Sequence, residues 1–526
     1  MRRSRERAGP PPDTQPAVRR AQGPPVSACT PANPRSLSAL WASPDRETIW
    51  DVIVVGTGYG GAAAAAELAG RQIDDDASAG GRRPLRLLVL ERGRPYRPGD
   101  FPATLSATPG HVRLADTRTG TTAGQDEGLF DLRPGNDVVA LVANGVGGGS
   151  LINAGVMLEP DPDELLRPDF ATLVREMRDQ GGFAQARRLL GGTRWPARSP
   201  AASDEPNTIA HHPTHRRHPL RKALALGALG HAARSAGRGD SPVEVPITVA
   251  MEPTKAEHGA TLPACTLCGD CMTGCNVGAK RSLDTTLLAR AMQAGAQIIT
   301  GASVESLQPV PRAEERPDAA RWTLSVRHTR RDLQARERGP LTLSARHVIL
   351  AAGTLGSTEI LLRARGLGLA LSPRLGERFS CNGDNLAAVH RMRQPVNGAP
   401  HPTQPLDARE VGPTITSAVK MRPRGAGARP YWLQEFAVPA ALRWLFDEAV
   451  TTGHALAGLA GSDRQPHGGE EASAWDPLAV APDAMARTLL VGLIGHDDAG
   501  GVLTLAQPMA APAPAAVGTL RIHWPQ

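Results

Sequence analysis

The sequence predicts an α/β protein, with a Rossmann-like domain built on a mostly parallel sheet beside a domain built on an antiparallel sheet. The first observation is an apolar strand pattern, Val52–Val55, that runs directly into Gly56, Gly58 and Gly61 in G-x-G-x-x-G spacing. The second is the alanine-rich helical pattern that follows at once, Ala62–Ala69. A later segment repeats the order of strand, glycine turn and helix, which is typical of parallel sheets whose strands alternate with helices.

Each glycine of the first motif has a physical role in a dinucleotide site. Gly56 permits a tight turn, Gly58 lets the backbone approach a pyrophosphate, and Gly61 lets the helix pack against the strand. The helix N-terminus then presents unpaired N–H groups to the phosphates. A second apolar strand, Leu85–Leu90, ends in Glu91, whose carboxylate can hydrogen-bond a ribose hydroxyl. An ordinary glycine turn is the alternative, and the agreement of glycines, strand, helix and acid favours the nucleotide site.

Two later segments extend this predicted site. Val138–Val142 has a strand pattern and leads into Asn144–Gly155, which holds five glycines. A backbone of this composition packs closely against a flat or charged group, and the apolar residues within it argue against a flexible linker. Arg346–Leu362 is the segment that repeats the strand, glycine turn and helix, and we expect it to return the chain to the first sheet.

The remaining patterns predict two interleaved domains behind a tail. Residues 1–47 are predicted to be a disordered, basic and Pro-rich tail, 48–160 and 241–390 two parts of the nucleotide-binding domain, and 161–240 and 391–526 segments of a substrate domain. Further strands are predicted at Val243–Ala250, Gln297–Thr300, Ala302–Leu307, Trp322–His328, Leu341–Ser344, Thr488–Ile494 and Leu503–Leu505, and helices at Asp169–Arg178 and Leu283–Ala294.

The charge balance excludes one class of partner. The formal net charge of the 526 residues is +7, and residues 1–46 hold eight Arg against three acidic residues, which accounts for most of it. Because the remainder is close to neutral, we expect no nucleic-acid surface. We find neither a secretory signal nor an apolar stretch of membrane-spanning length. The sequence therefore predicts a cytoplasmic protein with no transmembrane segment.

Four of the six cysteines lie close together, in the spacing C-x2-C-x2-C-x3-C. This is the bacterial ferredoxin spacing for a [4Fe–4S] cluster, although Asn276 stands where ferredoxins have Pro, and Cys381 is an alternative fourth ligand. Cluster ligands and reduced cysteines without a metal are equally favoured, and zinc is less so, because zinc sites made of four cysteines usually use two separated pairs. The candidate ligands are Cys265, Cys268, Cys271 and Cys275.

Together these segments resemble the glucose–methanol–choline (GMC) oxidoreductases. Asn144–Asn153 looks like the family's second flavin-contacting loop, and Val348–Ser357 looks like its returning FAD strand. The sequences of the segments Glu91–Tyr96 and Ala154–Pro160 resemble those of the cholesterol-oxidase-like bacterial branch of this family most closely. The resemblance covers about 48–390 well and the rest more weakly.

The resemblance implies an FAD-binding Rossmann-like domain and a set of cofactor contacts. The glycines of the first motif would hold the FAD diphosphate, and Glu91 would hold the adenosine ribose. The second loop would lie along the flavin, with its Asn near the isoalloxazine, and one valine would contact adenine through its backbone. The implied residues are Gly56, Gly58, Gly61, Glu91, Gly147, Gly148, Gly149, Asn153, Val304, Ala352 and Gly353.

The resemblance also implies an activity. Such enzymes oxidise the CH–OH group of an alcohol, here a sterol or another bulky lipid alcohol, by hydride transfer to flavin, and then reduce oxygen or a redox protein. The family's C-terminal segment with its catalytic His has no match before Gln526, so we expect that segment to be absent, the substrate domain to be incomplete and the catalytic residues to be unknown. The alternatives are an inactive FAD-binding chain and an FAD/iron–sulfur electron-transfer protein.

Overall fold

The computed structural model describes residues 34–75, 81–162, 168–194, 220–255, 261–311, 319–381, 383–390, 392–399, 411–425, 427–459, 485–506 and 518–524. Within these ranges no helix is both long and apolar enough to cross a membrane.

The strands are β1 Arg35–Ser36, β2 Ile49–Val55, β3 Gln72–Asp74, β4 Arg82–Pro84, β5 Leu87–Leu90, β6 Val112–Asp116, β7 Thr121–Gly124, β8 Phe130–Pro134, β9 Val139–Ala143, β10 Val243–Glu244, β11 Thr254–Lys255, β12 Thr261–Leu262, β13 Gln297–Thr300, β14 Ala302–Pro309, β15 Trp322–His328, β16 Leu341–Leu350, β17 Glu377–Phe379, β18 Asp384–Val389, β19 Ser417–Met421, β20 Tyr431–Phe436, β21 Leu489–Ile494, β22 Gly501–Ala506 and β23 Thr519–His523. The helices are α1 Leu37–Trp41, α2 Tyr59–Leu68, α3 Pro168–Asp179, α4 Gly182–Leu189, α5 Arg221–Ser235, α6 Leu287–Gln293, α7 Arg331–Gln334, α8 Gly353–Gly366 and α9 Arg443–Leu459.

The largest sheet has seven strands in the order β1-β13-β5-β2-β16-β15-β14. Neighbours from β1 to β16 are parallel, and β15 and β14 continue the sheet in antiparallel fashion. The register aligns Val55 with both Leu90 and Leu350. The carboxyl ends of β5, β2 and β16 therefore lie side by side, and the turns that follow these three strands share one edge of the sheet.

This sheet is buried on both faces. Alternate residues of β2 divide between two apolar clusters: Ile53 lies with α8 on one side, and Val52 and Val54 lie with α2 and α6 on the other. Strands buried on both faces have continuous apolar sequences rather than alternating ones, which is why Val52–Val55 was recognisable. The mostly parallel sheet of a Rossmann-like domain, predicted from the sequence, is confirmed.

A five-stranded antiparallel sheet, in the order β10-β19-β20-β21-β18, forms the second centre of the fold. Helix α5 packs against it, with Leu226 buried between Val419 and Leu433 in one apolar cluster. Strand β18 belongs to this sheet although it falls inside the segment 241–390 assigned to the nucleotide-binding domain. The predicted antiparallel component is present, whereas the domain boundaries stay predictions.

Three predictions about individual elements were wrong. Residues 34–47 are not a disordered tail: β1 pairs with β13, and Leu37 and Leu40 are buried in the core beside the main sheet; residues 1–33 lie outside the described part. Helix α6 begins at Leu287 rather than at Leu283, because the hydroxyls of Thr285 and Thr286 donate to a preceding backbone carbonyl and compete with helical pairing. Only the first two residues of the predicted strand Val243–Ala250 are a strand.

Candidate functional site

The first glycine turn follows β2 at the shared carboxyl edge. Gly56 has a φ of +101°, and its N–H donates to the carbonyl of Leu90 at 2.8 Å. A Cβ on Gly56 would overlap the Ala351 carbonyl, and one on Gly61 would overlap the carbonyl of Gly56. Gly58 differs from both, because it precedes α2 and has no atom within 4 Å of its Cβ position. The turn is thus closed behind Gly56 and Gly61 and open at Gly58.

The second glycine loop packs directly on the first. A Cβ on Gly148 would lie 2.8 Å from the Cα of Gly58, so the two backbones are in contact. Gly147 adopts a left-handed conformation with φ +108°, and the Ser150 hydroxyl donates to its carbonyl at 2.7 Å. Gly149 has no atom within 4 Å of its Cβ position. The two loops therefore form a joined surface whose open positions are Gly58 and Gly149.

Thr57, which the sequence analysis did not single out, connects the parts of this surface. Its hydroxyl donates to the Glu91 carboxylate and accepts the Gly147 N–H at 3.1 Å, and its own N–H donates to Glu91 at 3.1 Å. Thr57 is completely buried. The sequence signal that could have identified this residue is a threonine between the first two glycines of the motif, where its hydroxyl needs a partner other than water.

Glu91 lies at the end of β5, as predicted, and its carboxylate faces the two loops. Besides the contacts with Thr57 it accepts the Gly93 N–H at 2.8 Å. Burial raises the pKa of Glu91 above its usual value, against the opposing effect of hydrogen bonds from Thr57 and Gly93. A carboxylate offers about four acceptor positions, so Glu91 both locks the loops and retains capacity for a ligand hydroxyl. Its contact with ribose stays a prediction.

Asn153 ends the second loop with an unsatisfied polar atom. Its side-chain N–H donates to the Tyr59 hydroxyl at 2.9 Å, whereas its Oδ1 is buried without a hydrogen-bond partner in the described residues. Tyr59 is the first residue of α2. Because buried acceptors are almost always paired, the free Oδ1 of Asn153 fits a ligand that carries an N–H donor.

The remaining predicted residues lie around the same edge. The Ala351 N–H donates to Val55 at 2.8 Å, which places Ala352 and Gly353 beside the first turn; Gly353 has no atom within 4 Å of its Cβ position. Val304 is buried in β14, whose first residue, Ala302, donates its N–H to the Glu91 carbonyl at 2.9 Å. The structure therefore places these residues around the same edge of the sheet, whereas their contact with a cofactor stays a prediction.

The prediction of a metal cluster is not supported by the positions of the cysteines. All four are described, and no three His, Cys, Asp or Glu side chains in the described ranges form a group able to hold a metal ion. Burial raises the pKa of Cys268 to about 12 and raises the pKa of Cys265 and Cys271. Cys265, Cys271 and Cys275 instead pack as apolar side chains in the core of the antiparallel domain.

The fold and the site define an α/β protein with glycine turns at the carboxyl edge of a Rossmann-like sheet, and comparisons with known proteins show what it is similar to. Residues 255–382 match the family model of the GMC oxidoreductases. The chain is 27% identical over 365 residues to a cholesterol oxidase of Acinetobacter baumannii, and 27% identical over 363 residues to a cholesterol oxidase of Mycobacterium tuberculosis. These alignments cover 66% and 65% of this chain and 57% and 53% of the two relatives. These matches confirm the resemblance to the GMC oxidoreductases that the motifs predicted.

Two further facts accompany these matches. The chain spans little more than half the length of the curated relatives it matches. A solved structure, that of pyridoxine 4-oxidase from Mesorbium loti, aligns with a TM-score of 0.42 and 16% identity, covering 90% of this chain and 75% of the other.

GMC oxidoreductases bind FAD, and the residues present at the site fit this cofactor. Gly58, Gly149 and Gly353 have no protein atom within 4 Å of their Cβ positions, so the space in front of their backbone is open to a ligand. The free Oδ1 of Asn153 suits the N–H of a flavin ring, and the Glu91 carboxylate lies where a ribose is held in dinucleotide sites.

Proposed function

We propose that the chain is an FAD-dependent oxidoreductase that oxidises the CH–OH group of an alcohol. The observation that carries this proposal is the convergence of three glycine turns and Asn153 at the carboxyl edge of β5, β2 and β16. Ligands of open α/β sheets bind outside the carboxyl ends of the strands. The relationship to GMC oxidoreductases gives the chemistry, since fold alone does not define a reaction.

Each residue of the site has a role in this proposal. The backbone at Gly58 and the N-terminus of α2 receive the diphosphate, Glu91 accepts a ribose hydroxyl, and Asn153 accepts an N–H of the flavin ring. Bound FAD supplies the acceptor for the hydride that leaves the carbinol carbon. The complete set proposed to hold it is Gly56, Gly58, Gly61, Glu91, Gly147, Gly148, Gly149, Asn153, Val304, Ala352 and Gly353.

The proposed substrate is a sterol or another bulky lipid alcohol, and the proposed electron acceptor is oxygen or a redox protein. Support for the substrate comes from the relatives that are named cholesterol oxidases. We assign no residue as the base that removes the hydroxyl proton. The cytoplasmic location stays a prediction.

An absorption spectrum of the purified chain, recorded before and after acid denaturation, tests the cofactor. We expect paired flavin bands, and FAD in the supernatant after denaturation. Turnover is then measured with a panel of hydroxysteroids and aliphatic alcohols. A colourless folded protein that takes up no added FAD would contradict the proposal, whereas bound FAD without turnover of any alcohol would favour the inactive FAD-binding chain. About four iron and four labile sulfide per flavin would restore the electron-transfer alternative, the ratio that one [4Fe–4S] cluster supplies.

A further inference from the structure

The segment 265–280, which contains the four cysteines, has no assigned role once a metal cluster is set aside. We propose that Lys280, at the end of this segment, is a positioning residue that holds the second glycine loop in the shape that FAD requires. This inference rests on the proposed function, because it assigns Lys280 to the same cofactor site. In this proposal the cysteine segment holds Lys280 in place.

Every N–H donor of the Lys280 ammonium group has a hydrogen-bond acceptor. Lys280 is buried, and its Nζ donates to the carbonyls of Leu151 at 3.1 Å, Asn153 at 2.6 Å and Cys271 at 3.0 Å. An ammonium has three donors, so each one is used. Two of the three acceptors belong to the second glycine loop, and the third belongs to the cysteine segment. Hydrogen bonds from a charged donor contribute more than neutral ones.

The cysteine segment gives Lys280 a fixed base. The Ala279 carbonyl accepts the Ala250 N–H at 2.8 Å, and the Ala250 carbonyl accepts the Cys265 N–H at 2.8 Å. Leu267 and Cys271 are buried in the apolar core of the antiparallel domain. The ammonium therefore connects this core to the loop that carries Asn153.

The other side of the segment is tied to the loop that follows β5. The Asn276 side chain accepts the N–H of Gly99 at 2.8 Å and that of Phe101 at 3.1 Å, and it donates to the Phe101 carbonyl at 3.0 Å. Asn276 is the residue that replaces the proline of ferredoxins. Its three backbone contacts explain why an amide suits this position in a segment that serves as a support.

Lys280 acts on FAD through Asn153. The Asn153 backbone is fixed by Lys280, and its side chain is fixed by the Tyr59 hydroxyl at 2.9 Å, which leaves Oδ1 as the free acceptor of the site. Loss of either anchor lets the Asn153 amide rotate or shift. Lys280 also places a buried positive charge behind the loop, and such a charge favours a flavin that has gained electrons.

The chain offers a matched control for a merely structural effect of removing a buried lysine. Lys222 is also completely buried, and its Nζ donates to the Thr414 carbonyl at 3.2 Å and to the Glu435 carboxylate at 3.1 Å. None of the contacts of Lys222 in the described residues involves a glycine loop. Both substitutions leave carbonyl oxygens unpaired, but only one of them changes the cofactor site.

The test compares Lys280→Met with Lys222→Met in the full chain, with FAD as the probe. We expect Lys280→Met to weaken FAD binding by at least about tenfold, the effect of one lost charged hydrogen bond on an equilibrium. We also expect a changed visible spectrum and a lower reduction potential of the bound flavin. Lys222→Met is expected to lower the free energy of unfolding and to leave FAD affinity, spectrum and potential as in the wild type.

A second variant keeps the test decisive if Lys280→Met does not fold. Tyr59→Phe removes the other anchor of Asn153 at a residue that is 42% exposed, and we expect it to change the flavin spectrum in the same direction without loss of folding. An unchanged dissociation constant and potential in Lys280→Met, or an unchanged spectrum in Tyr59→Phe when Lys280→Met cannot be made, overturns the inference. A wild-type chain that binds no FAD overturns the proposed function instead.

Discussion

At the scale of single residues, Thr57 shows how one hydroxyl joins three parts of the site. It connects the turn after β2 to Glu91 at the end of β5 and to Gly147 in the second loop. Because these groups are buried, removal of the Thr57 hydroxyl would leave its partners without a hydrogen bond, which water could not replace. The glycines create the space of the site, and Thr57 holds the backbones that surround it.

We therefore expect Thr57→Val to destabilise the fold and to weaken FAD binding. Valine keeps the shape of threonine but leaves the Gly147 N–H without its acceptor and Glu91 without one donor, at a cost of about 1–3 kcal/mol. Denaturant unfolding and FAD titration measure the two effects. Thr57→Ser keeps the hydroxyl and is the control; equal losses in Thr57→Ser and Thr57→Val would show that the hydrogen bonds do not matter.

At the scale of secondary structure elements, α2 depends on the close approach of its first turn to β2. Gly60 and Gly61 are adjacent in this helix, yet only a Cβ on Gly61 would overlap the Gly56 carbonyl. At Gly60 the nearest atom to a Cβ would be the Ala351 methyl at 3.8 Å, an ordinary contact.

This difference predicts opposite results for two alanine substitutions. Gly61→Ala is expected to displace α2 from β2, lower the free energy of unfolding and abolish FAD binding. Gly60→Ala is expected to stabilise the fold by up to about 1 kcal/mol, the gain in helix propensity from glycine to alanine. Thermal unfolding and FAD titration of both variants measure this, and similar behaviour of the two would contradict the packing described for α2.

The four-stranded sheet, in the order β7-β6-β8-β9, is joined to the site by a buried ionic network. Asp131 in β8 is completely buried and pairs with Arg92 at 2.6 Å, Arg113 at 2.6 Å and Arg133 at 3.0 Å. Burial alone would raise the pKa of Asp131, but the charges of the three arginines hold it below its usual range. Arg92 also donates to Asn144 at 3.0 Å, at the start of the second glycine loop.

Asp131→Asn is accordingly expected to destabilise the protein by about 3–5 kcal/mol, because Arg92 and Arg113 lose this counter-charge and Arg133 keeps only Glu359. Since the carboxyl pKa is lowered in the folded state, the stability that Asp131 contributes is complete above its unfolded pKa and is lost only as the pH falls through the folded pKa. The difference between wild type and Asp131→Asn should therefore shrink in strong acid. Asp116→Asn, at the end of the neighbouring strand β6, is the control: its partner Arg118 is 53% exposed, so we expect a much smaller loss of stability than in Asp131→Asn.

At the scale of the whole molecule, the parts recognisable in the sequence are those whose signal is local. The continuous apolar pattern of β2 and the glycines after it identified the central sheet and its loops. Strand β1 and helix α1 were missed because β1 is stabilised by pairing with β13, which is distant in the sequence, and Leu37 and Leu40 are buried only in the core beside that sheet. Thr57 and Lys280 were missed because their hydrogen-bond partners come from distant segments.

The cysteine segment shows the limit of a local signal, since its spacing left a metal cluster and reduced cysteines equally favoured. The spacing of the four cysteines is local and typical of a cluster, but no three of them form a group able to hold a metal ion in the part of the chain that the structure describes. The fold instead buries these side chains in an apolar core, where the neutral thiol is favoured. Spacing therefore identified the segment as one that matters, whereas its role depends on Lys280 and Asn276, which the spacing does not include.

The two loops, the central sheet and the antiparallel core meet at the proposed cofactor, so FAD should stabilise the whole protein. A ligand that binds the folded state and not the unfolded state adds about 2.7 kcal/mol to the free energy of unfolding at a concentration one hundred times its dissociation constant. Thermal unfolding across an FAD series measures this increase, with NAD⁺ as the control dinucleotide. Because the free Oδ1 of Asn153 and the open second loop fit a flavin ring, we expect FAD to raise the unfolding temperature far more than NAD⁺ does. Stabilisation by NAD⁺ but not by FAD would mean that the site binds a nicotinamide cofactor, and the assignment of the second glycine loop to a flavin would then be wrong.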